Sequence, residues 1–276
     1  MKNAIKRIIK ILYRNHFSMD GKKSVKNHIN LEWWNGKVNL GDYLAVVVCD
    51  WMLKRYNLSF DKKTKKTIHL STIGSIIGFG NYDAVIWGSG ILGTGSISVL
   101  IKRRLFVKYD IRAVRGPITG DILLSCGYNV GSVYGDPAVL MPLIYKGSKA
   151  KKIYKYSLIR HYISSDNKNI NNCHEILIQT NDYKFFIDEI LKSECVISSS
   201  LHGIILAEAY GVPAIFLNDI NNDEMKYFDW YFSTGRRTVK IAESIDEALK
   251  MEPMELPDLR NMQKNLLDSF PYDLWK

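Results

Sequence analysis

The sequence predicts an α/β protein of two Rossmann-like parallel-sheet domains facing a cleft, and three observations predict it. Short apolar runs alternate with helix-length segments along the chain, which is the pattern of successive βαβ units. Residues 195–217, CVISSSLHGIILAEAYGVPAIFL, spell out one such unit: an apolar run, three serines, a helical stretch, Gly211-Val212-Pro213 and a second apolar run. A polar, lysine-rich stretch over 146–155 interrupts the alternation and reads as a linker. The resulting division is a leading helix over 1–17, a first domain over 18–147 and a second over 148–276.

Taken in order, Ile5, Ile8, Ile9, Leu12 and Tyr13 recur at helical spacing with basic residues between them. Two readings of this amphipathic helix stand: it lies in a membrane interface with its lysines toward anionic lipid, or it packs on the body of the protein. Gly41-Asp42 leads into an apolar helix over 43–55, and 67–70 and 84–87 read as short buried strands. Gly88-Ser89-Gly90, after the second strand, is either a turn or a place where a ligand approaches the backbone closely. Further strand candidates are 106–107, 111–114 and 129–133, with a helix between the last two that starts at Pro117 and closes at Gly127. Past the linker, 156–159 is a strand ending in Arg160-His161-Tyr162, 175–179 another, and 183–193 a helix. The serine-containing unit follows, and 242–251 and 259–267 read as closing helices.

Composition bounds the function. Apolar residues make up 46% and charged residues 24% of the chain, as in ordinary globular proteins. The net charge of +10 is clustered: Lys2, Lys6, Arg7, Lys10 and Arg14 precede the first acid, Asp20, and lysines recur over 62–66 and 149–155. Such clusters attract polyanions or lipid headgroups, or are solvated faces. They lack an aromatic-interleaved or helix-turn-helix context, so no nucleic-acid partner is expected. The N-terminal apolar residues are interrupted by lysines, and no run is long enough to span a bilayer. A cytoplasmic protein is the expectation. Neither the four cysteines nor the dispersed histidines have metal-ligand spacing, so no metal is expected.

The candidate site starts at His202, in the first turn of the helix that follows the serines. Backbone N–H groups at a helix start have no partner within the helix, so hydroxyls and an imidazole there suit an anion such as phosphate. The plainer alternative is an N-cap by Ser199 or Ser200 with His202 exposed.

The same residues carry a resemblance. SSSLHGIILAEAYGVP (198–213) resembles the signature of the polysaccharide pyruvyl transferase family. Asn39-Leu40-Gly41-Asp42, RAVRGPIT (112–119) with YGDPAVLMP (134–142), and SFPYDLW (269–275) resemble three further family segments in the family's order. The resemblance implies a GT-B-like arrangement, with the acceptor on the first domain and the donor on the second. It also implies transfer of a pyruvyl group from phosphoenolpyruvate to a sugar, lipid-linked in this reading, as a ketal in capsular or exopolysaccharide assembly. Phosphoenolpyruvate is then a substrate, and no cofactor is expected.

Ketal formation needs donors for a phosphate and a carboxylate, an acid for the methylene carbon and a base for the sugar hydroxyl. His202 is the first candidate, as a phosphate or carboxylate contact and as the acid, with Ser199, Ser200, Leu201 and Gly203 as the anion cradle. Many relatives place an arginine where this chain has Ser200, so Arg115 or Arg160 is expected to hold the carboxylate. His161 is a second acid or base. Asp42, beside Asn39 and Gly41, is either the base or an N-cap, and Asp136 either lines the cleft or fixes a turn. Glu208 either touches substrate or is structural. The rival reading is a GT-B glycosyltransferase that uses a nucleotide sugar, with Glu208 on the ribose. A non-catalytic membrane-surface scaffold is a third.

Overall fold

A computed structural model describes residues 15–161, 173–218 and 223–276. The leading helix read over 1–17 lies almost wholly outside these residues. The first sheet contains β1 (Ile29–Glu32), β2 (Ile68–Ser71), β3 (Ala84–Trp87) and β4 (Tyr109–Ala113), in that order and all parallel. Its helices are α1 (Leu40–Lys54), α2 (Ile97–Arg103) and α3 (Pro117–Ser125), and α4 (Met141–Ile144) leads out of it. The second half contains β5 (Tyr154–Ile159), β6 (His174–Glu175), α5 (Tyr183–Leu191), β7 (Ser193–Ser198), α6 (Leu201–Ala209) and β8 (Ala214–Leu217). It continues with α7 (Met225–Ser233), β9 (Ile241–Ala242), α8 (Ile245–Ala248) and α9 (Arg260–Ser269). Its sheet is also parallel, in the order β6-β5-β7-β8-β9. The expected two parallel-sheet, Rossmann-like architecture is the architecture found.

Local chemistry explains the elements that position the site. Strands β2, β3 and β8 are buried at every position, as expected for parallel strands covered on both faces. Helix α1 starts at Asn39, whose side chain accepts from Gly41 N at 3.0 Å, so Asn39 is the N-cap and Asp42 sits inside the first turn. Helix α6 is apolar nearly all round and buried from Leu201 to Glu208, the mark of a core helix. Helices α1 and α6 share one hydrophobic core, in which Leu44 and Val48 belong with Ile204 and Ile205.

Several elements differ from expectation. Residues 129–133 form no strand, because Gly131 and Ser132 interrupt the run, and only a bridge between Val114 and Tyr134 remains. The strand read over 175–179 shortens to β6; the one read at 111–114 is the second part of β4, and 106–107 form no strand but the turn that leads to it. Strand β1 and helix α7 had no counterpart in the sequence reading. The closing segment also crosses back to the first sheet. Trp87 Nε1 donates to Leu266 O at 3.0 Å, Trp275 Nε1 donates to Ser59 O at 2.9 Å, and Arg112 meets Asp273 at 2.8 Å. A boundary at 147/148 separates the two sheets, but the C-terminal helix packs with the first.

Candidate active site

The carboxyl ends of the two sheets face a cleft of about 310 Å3. Its lining comes from residues just past strand ends: Trp34 after β1, Gly74, Ser75 and Ile76 after β2, and His161 after β5. Asn39 and Asp42 at the start of α1, Ser200 to His202 at the start of α6, Lys226 in α7, and Phe79 and Leu92 complete it. This is where open α/β sheets place their ligands.

The two helix starts differ. That of α1 is closed: Asn39 caps it, and Leu40 N donates to Ile178 O at 2.9 Å. That of α6 begins at Ser200 in extended conformation with no side-chain cap bond, so its first turn presents N–H groups to the cleft. The serines before it mostly build the turn. Ser198 Oγ accepts from Ser200 N at 3.0 Å, and Ser199 Oγ accepts from His161 N at 3.0 Å. Ser199 is 1% exposed and Ser200 reaches the cleft. Ser199 is thus a turn-builder rather than the anion contact the sequence suggested.

His202 is buried, against the alternative of an exposed histidine behind an ordinary cap. Its imidazole lies against Gly41, where a Cβ would collide with the ring, so Gly41 is the seat of His202. Its Nε2 is 3.5 Å from Asp136 Oδ2, and neither atom has a hydrogen-bond partner among the described residues. Asp136 Oδ1 accepts from Ala138 N at 3.0 Å, so this carboxylate both fixes its turn and faces the imidazole. A buried polar pair left unsatisfied is rare enough to need a reason. Gly203 has a packing role: a Cβ there would strike Ser198 Oγ and Ile159.

Charge in the cleft is tuned by burial. Asp42, with Gly74 against it, has its carboxyl raised to about 6 by burial, offset in part by His202 and Lys226. His161 is lowered to about 4 by burial and by the charge of Lys226. Lys226 itself is lowered to about 8 by burial and by Arg115, while Asp42 and Asp223 pull it back. Perturbed groups that share a cleft are a marker of functional sites.

Three expected contacts lie elsewhere. Arg115 is fully buried and each of its three nitrogens donates within the protein: Nε to Asp229 Oδ2 at 3.0 Å, Nη1 to Ser75 Oγ at 2.5 Å and Nη2 to Ile91 O at 3.0 Å. Gly90 makes room for its guanidinium and Gly88 for Pro137, so the Gly88-Ser89-Gly90 turn serves packing. Arg160 turns toward Glu175 on β6, at 3.5 Å, and does not line the cleft. Glu208 is buried, held by Arg236 at 2.7 Å and by Trp230 Nε1 at 2.9 Å, and does not line the cleft where a ribose would bind. The sequence reading missed Lys226, Ser75 and the apolar rim of Trp34, Phe79 and Leu92. The one local signal for Lys226 was an isolated lysine in the aromatic-rich run MKYFDWYFS.

Among the described residues no group of three or more His, Cys, Asp or Glu side chains is placed to hold a metal ion, and no helix is long and apolar enough to cross a membrane.

The fold is similar to that of a functionally uncharacterized protein from Klebsiella pneumoniae, with a TM-score of 0.50 at 16% identity, covering 88% of this chain and 99% of that one. An uncharacterized protein of Acanthamoeba polyphaga mimivirus is 30% identical over 175 residues, 59% of this chain and 58% of that protein. The succinoglycan biosynthesis protein ExoV of Rhizobium meliloti is 25% identical over 213 residues, 74% of this chain and 64% of that protein. The chain thus spans about three fifths of the length of these curated relatives. The profile of the polysaccharide pyruvyl transferase family matches residues 3–221, a span that contains the cleft's lining up to the end of β8. The chain belongs to the polysaccharide pyruvyl transferase family.

Proposed function

We propose that this protein transfers a pyruvyl group from phosphoenolpyruvate to two hydroxyls of a sugar, forming a ketal in exopolysaccharide or capsule assembly. The observation that carries this reading is the uncapped start of α6, beside a buried imidazole whose Nε2 has no hydrogen-bond partner among the described residues. A helix start with free N–H groups suits the donor's anionic end. His202 then delivers a proton to the methylene carbon, with Asp136 as the carboxylate facing the charge that the ring carries. The first sugar hydroxyl attacks C2 and loses its proton to Asp42. The second hydroxyl closes the ring, loses its proton to His161, and the C2–O bond to phosphate breaks to release inorganic phosphate. A carboxyl near 6 and an imidazole near 4 are both in their basic forms at neutral pH, as these steps need.

The partition of the lining supports donor and acceptor sides. His161, Ser200, His202 and Lys226 come from the second half, while Trp34, Phe79 and Leu92 come from the first and offer an apolar rim to an acceptor sugar. We take the acceptor to be lipid-linked and the enzyme to work in the cytoplasm at the inner membrane face. The basic residues ahead of Asp20 support that placement by their attraction to anionic headgroups. The test is to incubate the protein with phosphoenolpyruvate and a glycolipid acceptor fraction. Release of inorganic phosphate coupled to an acid-labile ketal, absent in His202→Ala, is expected. Turnover of a nucleotide sugar, with none of phosphoenolpyruvate, would establish the glycosyltransferase instead.

A further inference from the structure

We propose that Lys226 is the residue that binds the donor's phosphate and stabilises it as it leaves. This rests on the pyruvyl-transfer reading and adds a residue to it. Among the described residues that line the cleft, Lys226 is the only lysine or arginine. The guanidinium of Arg115 is close by but fully buried, bonded to Asp229, Ser75 and Ile91 and not part of the lining, and Arg160 faces Glu175. A donor with a phosphate and a carboxylate brings more negative charge than a helix start balances alone, so a cation within the cleft is required.

Helix α7 is built to hold that cation still. Tyr227 Oη donates to Ser199 O at 2.7 Å, which ties α7 to the turn that opens α6. Asp229 accepts from Thr119 N at 3.0 Å and from Thr119 Oγ1 at 2.7 Å, besides pairing with Arg115, which ties the helix to the first half. Trp230 Nε1 donates to Glu208 and ties it to the flank of α6. Lys226 is therefore carried by a helix clamped to both halves, and a preorganised cation loses little freedom on binding. An ammonium is a point charge with three donors, suited to a phosphate and to the charge that builds on its oxygen as the bond to C2 breaks.

The charged groups that act on Lys226 are Asp42 from α1, His161 after β5, Arg115 after β4 and Asp223 just before α7; its Nζ also lies 5.0 Å from the Tyr227 ring, and His202 and the start of α6 share the cleft with it. Burial and the positive neighbours favour its neutral form, and the carboxylates oppose them. Donor affinity is therefore expected to weaken as pH rises through about 8.

Calorimetric titration of phosphoenolpyruvate, and separately of inorganic phosphate, into the wild type, Lys226→Gln and Lys226→Arg tests this. K226Q is expected to weaken both ligands by about tenfold to a hundredfold, the range for hydrogen bonds to a charged group. K226R is expected to bind at neutral pH and to lose the weakening above pH 8, because a guanidinium keeps its proton. Wild-type-like affinity in a folded K226Q, or an unchanged alkaline limb in K226R, would overturn the assignment while leaving the pyruvyl-transfer reading standing. Should K226Q fail to fold, the alkaline limb of K226R decides alone. A wild type that binds neither ligand would overturn the pyruvyl-transfer reading itself.

Discussion

His69 in β2 and His202 in α6 are both buried beside a carboxylate, and their surroundings differ in one respect. His69 has no exposed surface; its Nδ1 lies 2.7 Å from Glu32 Oε1 and its Nε2 within 3.4 Å of both Ser24 Oγ and Asn15 O. Its ring stacks on Tyr82 at 4.2 Å, and Glu32 Oε2 accepts from Met19 N at 2.7 Å. Together these contacts fasten the segment before β1 to the first sheet. His202 faces its carboxylate at 3.5 Å with no hydrogen bond, over a glycine and toward an open cleft. The same pair of residue types is closed in one place and open in the other. The lesson is that saturation of hydrogen bonds, rather than burial or charge, separates the structural histidine from the one available for chemistry.

The largest effects test that contrast directly. His202→Ala is expected to lower turnover by at least about a hundredfold, the low end for general acid catalysis, with little change in the thermal midpoint. Glu32→Ala leaves Nδ1 of the buried His69 without its partner and is expected to cost about 1–3 kcal/mol of stability while the folded fraction keeps its specific activity. Denaturant titrations beside initial rates would separate the two. Equal stability loss in both variants would break the comparison.

Asp229 extends the contrast from histidines to arginines. It is fully buried and fixes both Arg115 and the start of α3. Asp229→Ala is expected to destabilise by about 3–5 kcal/mol, because it strands a buried guanidinium. A mild effect would mean that Arg115 is available to substrate after all.

Asp42 offers the next test, with opposite signs for rate and stability. Its folded-state carboxyl is raised from 3.8 to about 6, so the native chain binds its proton more tightly than the unfolded chain does. The associated stability is present below pH 3.8 and is lost as pH rises through 6. At pH 7 the buried charge is unfavourable, and Asp42→Asn is expected to be more stable by up to about 3 kcal/mol, a gap that closes in acid. In the proposed mechanism the same substitution also removes the base, and most of the turnover is expected to go with it. In the wild type, kcat/KM should fall below about pH 6 as Asp42 gains its proton and above about pH 8 as Lys226 loses one. A flat profile between pH 5 and 9 would remove both from the mechanism.

The smallest effect belongs to the rim. Trp34 is 39% exposed at the cleft mouth, and Trp34→Ala is expected to raise the acceptor's KM several-fold and leave the donor's unchanged. A change in the donor constant instead would exchange the two sides of the cleft.

How much of this was legible in the sequence follows from how local each signal is. The unit β7-α6-β8 could be read to within two residues, because apolar runs and Gly211-Val212-Pro213 punctuate it locally. His202 and Asp42 could be singled out, because each stands where a helix begins. What could not be read depends on distant partners. Helix α7 is fixed by an ion pair between residues 114 positions apart, and nothing within its own aromatic-rich stretch announces a helix. Arg115 and Lys226 differ from the sequence reading for the same reason. An arginine at a strand end looks like a clamp until Gly90 and Asp229 enclose it, and Lys226, which the sequence did not single out, reaches the cleft only through the packing of α7.

The most direct test of the central claim is a thermal-shift titration of the wild type and His202→Ala with phosphoenolpyruvate, beside UDP- and GDP-sugars. A ligand that binds only the folded chain raises its midpoint in proportion to occupancy. The account predicts stabilisation by phosphoenolpyruvate in the wild type, its loss in His202→Ala, and no response to nucleotide sugars. Stabilisation by a nucleotide sugar alone, or a phosphoenolpyruvate response that survives the loss of His202, would contradict it.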